Sequence, residues 1–377
     1  MPLFPGATVE TLASRYRNCI HAYHGIDAWD AAGERLLYVG FEDTSRADLV
    51  VRDLASGAEM AIGSTNAVNY HTAAMQRWAL DDAAVVFETN DADGVIQPCL
   101  VLAESGGRTE VLREFRGYEI RHVLAHGHIA YAQTRPVGGL AHVARLDLST
   151  GQREVLFDAN EIVALLAPDR REEGVEYFFS HPLARDDEEW MLFKLLARGP
   201  GDRPGREITF FTRHLASGRT IEHPGVSGHP YWDPVTGKIL NIVLGQTDDQ
   251  PRYRELVLMD PATAEMDLFV PEWIEGPGHP SISPNGRWAA TDSFWEGREA
   301  MVYLFDRKTG GKWRLATLDH TWGPQKVYDP SQVWRGQPHP VWSPDSRALL
   351  VNCNDAATRY HLRILRGFAH PLGAAGA

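Results

Sequence analysis

One short pattern recurs along this chain and leaves few architectures open to it. An aromatic or apolar anchor leads into a tight turn, and an apolar strand follows. A later strand then ends in a turn of the Asp-x-x-x-Gly kind. Anchors and turns occur at Trp29-Asp30-Ala31-Ala32-Gly33, Trp78-Ala79-Leu80-Asp81-Asp82, Ala184-Arg185-Asp186-Asp187, Trp232-Asp233-Pro234, Ile282-Ser283-Pro284-Asn285-Gly286 and Trp342-Ser343-Pro344-Asp345. Exits occur at Asp53-Leu54-Ala55-Ser56-Gly57, Asp147-Leu148-Ser149-Thr150-Gly151, Leu215-Ala216-Ser217-Gly218, Asp260-Pro261-Ala262-Thr263 and Asp306-Arg307-Lys308-Thr309-Gly310. With a degenerate copy near residues 118–158 the copies number seven, about 45–60 residues apart, which is the period of propeller blades.

Helical periodicity is scarce, and short apolar runs between Asp, Gly, Pro and Asn turns dominate. The expectation is therefore an all-β, seven-bladed β-propeller in a single domain. Blades are expected to start near residues 28, 71, 118, 180, 228, 278 and 337. The last copy holds three strands and runs out, so a strand within residues 8–20 is expected to supply its fourth and cover an otherwise open edge. A chain of 377 residues would ordinarily suggest two domains, but repetition overrides that prior. Residues 159–177 and 319–336 are long connections that interrupt the period, and long loops on a rigid scaffold often shape a site.

Net charge is −13, from 50 acidic against 37 basic residues, and no Lys/Arg-rich run occurs. Binding to nucleic acid or to an anionic membrane needs a clustered positive face, so neither partner is expected. Three widely spaced cysteines, Cys19, Cys99 and Cys353, make neither a metal motif nor a disulfide framework. The N-terminus lacks a basic segment followed by an apolar core, and no run approaches the ~18 apolar residues of a membrane span. The cytoplasm is the expected location.

Three residues before the anchor, four consecutive copies carry His181-Pro182, His229-Pro230, His279-Pro280 and His339-Pro340. His24 and His71 precede Trp29 and Trp78 by five and seven residues. Odd offsets share one face of a strand, and the innermost strand of a blade lines the channel of a propeller. One His-Pro step would do no more than cap a strand, with Pro costing no ladder bond. Four in succession, in a chain with 16 histidines, point to a ring of imidazoles that could hold a divalent cation or move protons. Arg335, Gln337 and His339 alternate, and Arg198 and Arg206 flank a strand turn. A guanidinium binds a carboxylate bidentately, so these arginines are candidates for an acidic substrate. Trp232, Trp295, Trp322 and Trp334 are candidates for stacking on a sugar, the last two from a long loop. No nucleophile elbow, phosphate loop or dinucleotide fingerprint occurs in a usable setting.

Gly278-His279-Pro280-Ser281-Ile282-Ser283-Pro284-Asn285-Gly286-Arg287-Trp288, followed by Thr291-Asp292-Ser293, resembles the oligogalacturonate lyase family. Ser227-Gly228-His229-Pro230-Tyr231-Trp232, Ser180-His181 and Arg335-x-x-x-His339-Pro340-x-Trp342 extend the resemblance over residues ~178–355; the first three copies carry it only weakly. That family, with some ulvan lyases, consists of seven-bladed propellers that cleave uronic-acid sugars by β-elimination. The resemblance implies a manganese ion or other divalent metal at His279 and His339. Gln337 stands where the family has a further histidine. Trp334 falls at or near the family's glutamine ligand, which an indole cannot replace. It also implies His229 as the catalytic base and Arg206 as the catalytic arginine, with Arg335 a second neutraliser of the substrate carboxylate. His181 and His71 would face the leaving group, as histidines of early blades do in ulvan lyases.

The expected function is a lyase acting on an acidic, uronic-acid-containing oligosaccharide. Two alternatives remain: a histidine-dependent glycosidase on the same ring, and a propeller that binds a sugar or a protein without catalysis.

Overall fold

A computed structural model describes residues 2–43, 45–68, 71–91, 93–102, 110–134, 140–199, 206–223, 228–244, 254–270, 278–294, 299–319, 337–354 and 359–367. Among them the strands form seven four-stranded sheets, the blades of a β-propeller. No helix among the described residues is long and apolar enough to cross a membrane. The chain forms two compact units, residues 1–76, 228–258 and 268–377 in one, and residues 77–227 and 259–267 in the other.

The first unit holds the first, fifth, sixth and seventh sheets, apart from the turn 259–267 of the fifth. Thr8–Thr11 pairs antiparallel with Tyr360–Arg366 and completes the seventh sheet. Successive sheets bury their apolar faces against each other. Trp288, Val302 and Leu304 meet Trp342, Leu349 and Leu365 between the sixth and seventh. Leu36, Tyr38 and Val50 meet Leu350, Leu362 and Ile364 between the seventh and first. Leu240 and Leu256 meet Ile282 and Tyr303 between the fifth and sixth. Each such aliphatic side chain contributes about 1.5–3 kcal/mol on burial. The seventh sheet is thus covered on both faces, Leu349 and Leu365 on one and Leu350, Leu362 and Ile364 on the other, and the stacking is what stabilises it.

The recurring turns explain why these strands end where they do. Asp53 Oδ1 accepts the Ser56 N–H at 2.7 Å, and Asp306 Oδ1 accepts that of Lys308 at 2.9 Å. Gly57 and Gly310 then take φ of 74° and 72°, a left-handed step that only glycine makes without cost. At the anchors, Ser283 Oγ accepts the Trp288 N–H and donates to Asn285, and Ser343 does the same with Ala348 and Asp345.

The first sheet begins at Asn18–Ile20, well before residue 28. Its innermost strand breaks after Ile20 and resumes only with the Trp29–Leu36 bridge. Residues 21–27 leave the sheet between those points.

The second unit holds the second, third and fourth sheets. Ala84, Val86 and Phe115 pack on Ala130, Ala132 and Leu146, and Tyr131, Val143 and Phe157 pack on Phe179, Phe193 and Phe211. Asp158 caps the short helix Ala159–Val163 by accepting the Glu161 N–H, within one of the long connections noted in the sequence.

Candidate active site

The excursion at residues 21–27 puts an aromatic ring among histidines of the first unit. Tyr23 meets His339 at 4.9 Å between centroids, His71 at 5.1 Å, His279 at 6.1 Å, and His24 and His229 at 6.2 Å, all edge-on. The imidazoles also meet one another, His229 with His279 at 4.2 Å and His279 with His339 at 4.4 Å. His24 lies 5.4 Å from His279, and His71 5.2 Å from His339.

Buried polar groups behind these rings fix them. Asp292 Oδ1 accepts the His279 N–H at 2.8 Å, and Oδ2 accepts the His339 N–H at 3.0 Å. His279 Nδ1 lies 2.9 and 3.0 Å from the same two oxygens. His339 Nε2 lies 3.1 Å from Gln337 Oε1. In the next blade Asn352 Oδ1 accepts the His21 N–H at 3.0 Å, while Asn352 Nδ2 donates to Gln337 O. His229 Nδ1 lies 3.1 Å from Gly278 O. A carbonyl only accepts, so Nδ1 carries the proton and Nε2 holds the lone pair.

His279, His339 and Asp292 are fully buried, whereas His229 and His71 are half-buried. Burial drives His279 and His339 well below the usual imidazole range. Burial, with His279 adding, takes His24 down to about 3, and burial takes His21 to about 4. Burial pushes the Asp292 carboxyl up to about 7, against the backbone N–H groups of His339 and His279. At neutral pH these four buried imidazoles are uncharged, with lone pairs that could face a cation.

His339 has a φ of 45°, although the residue before a proline normally stays extended. A left-handed histidine costs about 1–3 kcal/mol, and such strain is concentrated at functional sites. Its Nδ1 is buried with no hydrogen-bond partner in the structure. Gly278 is constrained by space instead. A Cβ there would lie 2.4 Å from Asp292 O and 2.6 Å from Thr291 Oγ1. Because the nearest obstacle is backbone, Gly278→Ala is expected to destabilise the protein by about 1–3 kcal/mol and to disturb the acceptor of His229. An unchanged urea midpoint for that variant would disprove the close approach.

The fit of a metal can be judged from these donors. Two imidazoles and one amide oxygen form a nitrogen–oxygen set of the kind divalent ions accept. Ligands at right angles around an ion at ~2.1–2.2 Å are ~3 Å apart, close to the 3.1 Å between His339 Nε2 and Gln337 Oε1. Among the described residues, however, no three His, Cys, Asp or Glu side chains form a group that could hold a metal. Gln337 would have to be the third ligand.

Three of the four His-Pro steps, at His229, His279 and His339, therefore meet in the first unit, together with His71 and Gln337. His181 belongs to the second unit, with a φ of 56° and Nδ1 2.6 Å from Ser180 Oγ. So do Arg198, which lies over the Phe178 ring and 3.7 Å from Glu176, and Arg206, exposed and ion-paired with Glu172. Trp334, Arg335, Trp295 and Trp322 lie outside the described residues. Trp232 is half-buried at the inner strand of the fifth sheet. His21, Tyr23 and Asp292 are site residues that the His-Pro pattern does not announce.

No family model and no curated protein matches the sequence. Solved structures do match the fold. An oligogalacturonate lyase in complex with manganese superposes with a TM-score of 0.69 at 18% identity, over 96% of this chain and 93% of that one. An oligogalacturonate lyase from Vibrio parahaemolyticus gives 0.67 at 14% identity, over 95% and 93%. The Cps50 (Swd1) β-propeller domain from Myceliophteria thermophila gives 0.51 at 13% identity, over 93% and 98%. At such identities the likeness establishes the propeller fold.

Proposed function

We propose that this protein is a lyase that cleaves a uronic-acid-containing oligosaccharide by β-elimination. The observation that carries the reading is His229. It is half-buried, held by Gly278 O with Nδ1 protonated, and beside the buried His279. It is thus the accessible imidazole of the cluster with a defined lone pair at Nε2. The shared fold with oligogalacturonate lyases adds the substrate class.

In this scheme His229 Nε2 takes the C5 proton, the electron pair forms the C4=C5 bond, and the C4–O bond breaks. The leaving oxygen takes its proton from water or from His71. The C5 proton is acidic enough only when the neighbouring carboxylate is neutralised. Arg206, with Arg198 or Arg335, is the guanidinium assigned to that carboxylate, and Trp334 is assigned to the sugar face. A divalent cation, manganese as in the solved lyase, would be held by His279, His339 and Gln337 and would supply further positive charge there. The reading places the substrate among short acidic oligosaccharides in the cytoplasm.

Elimination leaves an unsaturated uronate that absorbs in the ultraviolet, which neither hydrolysis nor binding produces. Oligogalacturonates and other uronate oligomers, assayed with and without added Mn²⁺, are expected to give that absorbance. Reducing ends without absorbance would mean a glycosidase. Binding alone would mean a non-catalytic propeller, and either result ends the lyase reading.

A further inference from the structure

We propose that Asp292 is the positioning residue of the histidine cluster, holding His279 with its proton on Nδ1 and its Nε2 lone pair turned away from the carboxylate. The proposal deepens the lyase reading, since it says which nitrogen of His279 carries the lone pair.

The chain supplies its own comparison. Ile282 pairs with Ala289 and Trp342 with Leu349, so Asp292 and Asn352 occupy equivalent places on the second strands of neighbouring blades. Both accept the backbone N–H of the histidine that opens the next blade. Asp292 Oδ2 takes that of His339 at 3.0 Å, and Asn352 Oδ1 takes that of His21 at 3.0 Å. Joining one blade to the next therefore needs only an amide oxygen. Yet the sixth sheet has a fully buried carboxylate there, which burial disfavours.

The difference between the two places is His279. Asp292 meets three nitrogens at once, the backbone N–H groups of His279 and His339 and Nδ1 of the His279 ring. Asparagine has one acceptor oxygen and would turn an N–H₂ toward at least one of those donors. The ring nitrogen lies almost equally far from both oxygens, 2.9 and 3.0 Å. That suits an N–H shared between two carboxylate oxygens. A protonated carboxyl donating to Nδ1 would give one short contact instead. Carboxylates that orient an imidazole in this way fix its tautomer and raise the basicity of the opposite nitrogen.

The test is the histidine ¹⁵N spectrum of the full-length protein at pH 8, with the His279 ring assigned by its through-space contacts to the Tyr23 and His229 rings. The expected wild-type pattern is a protonated Nδ1 and a pyridine-type Nε2. Asp292→Asn is expected to abolish that pattern at His279 while His21 keeps its own, with a native circular dichroism spectrum. A wild-type His279 protonated on Nε2, or the same Nδ1–H tautomer in Asp292→Asn, overturns the proposal. Asn352 shows that the equivalent place accepts asparagine. Should the variant not fold, the wild-type spectrum alone decides. No step of this test uses substrate, so failure of the lyase assay and failure of this assignment are separate results.

Discussion

His229→Ala is expected to lower kcat on a uronate oligomer about 1000-fold, the middle of the range for losing a positioned general base. Its melting temperature should move by only a few degrees. The imidazoles are placed very differently. His279 and His339 are fully buried, and Asp292 holds the backbone of both. They are built into the sixth and seventh blades, so removing either damages the fold as well as the site. His229 is half-buried, and its ring Nδ1 donates to Gly278 O. Truncation there removes that hydrogen bond, worth about 1 kcal/mol, and the ring's contacts with His279 and Tyr23. Added imidazole should restore part of the rate by occupying the space left behind. A variant that retained a tenth or more of the wild-type rate would remove His229 from the role of base.

The repeat and the His-Pro steps are legible in the sequence because each depends on local chemistry. An Asp that accepts turn N–H groups and a Gly with positive φ mark a blade exit wherever they occur, as at Asp53–Gly57 and Asp306–Gly310. His229, His279 and His339 precede their anchors by a constant offset, so period-two alternation carries each to the same place on its blade. The same rule misleads in the first blade. It assumes an unbroken strand between His24 and Trp29, whereas the chain leaves the sheet after Ile20 and returns at Trp29. What lies between, including His21 and Tyr23, is placed by tertiary contacts, and no spacing reveals those. Asp292 was hidden for another reason. Its importance comes from accepting the backbone of His339, 47 residues later. Such a bond between blades leaves no local pattern. A comparison of Asp292 with Asn352 along the repeat could have raised the question.

Acid should weaken the protein strongly between pH 6.5 and 4, because both units bury neutral histidines. His21 is fully buried in the first unit, and burial lowers it to about 4. His223, 1% exposed in the second unit, is also lowered to about 4 by burial. Its Nε2 lies 2.8 Å from Thr212 Oγ1, whose hydroxyl donates to Pro261 O at 2.6 Å. The hydroxyl oxygen therefore accepts from Nε2, and Nδ1 is left buried with no partner. A second proton on that ring would create a buried N–H with no acceptor. The sign follows from the two states. Below 6.5 the unfolded chain takes up a proton on each histidine, while the folded chain refuses it until about 4. Unfolding thus binds protons across this window, and stability present above 6.5 is lost as pH falls. At pH 5 each histidine costs about 2 kcal/mol relative to neutral pH, or ~4 kcal/mol together. That is a large share of the ~5–15 kcal/mol that holds a folded protein together. Urea midpoints should therefore fall steeply from pH 7 to 5. His24, His279 and His339 are lowered by burial as well, so the slope should correspond to several protons taken up on unfolding, less the one that Asp292 binds in the folded protein; it should fall by about one proton in His223→Gln, which keeps an amide N–H for Thr212 but cannot be protonated. Midpoints that stayed level between pH 7 and 5 would mean that these imidazoles titrate in the folded protein as they do in water, and that their burial carries no electrostatic cost.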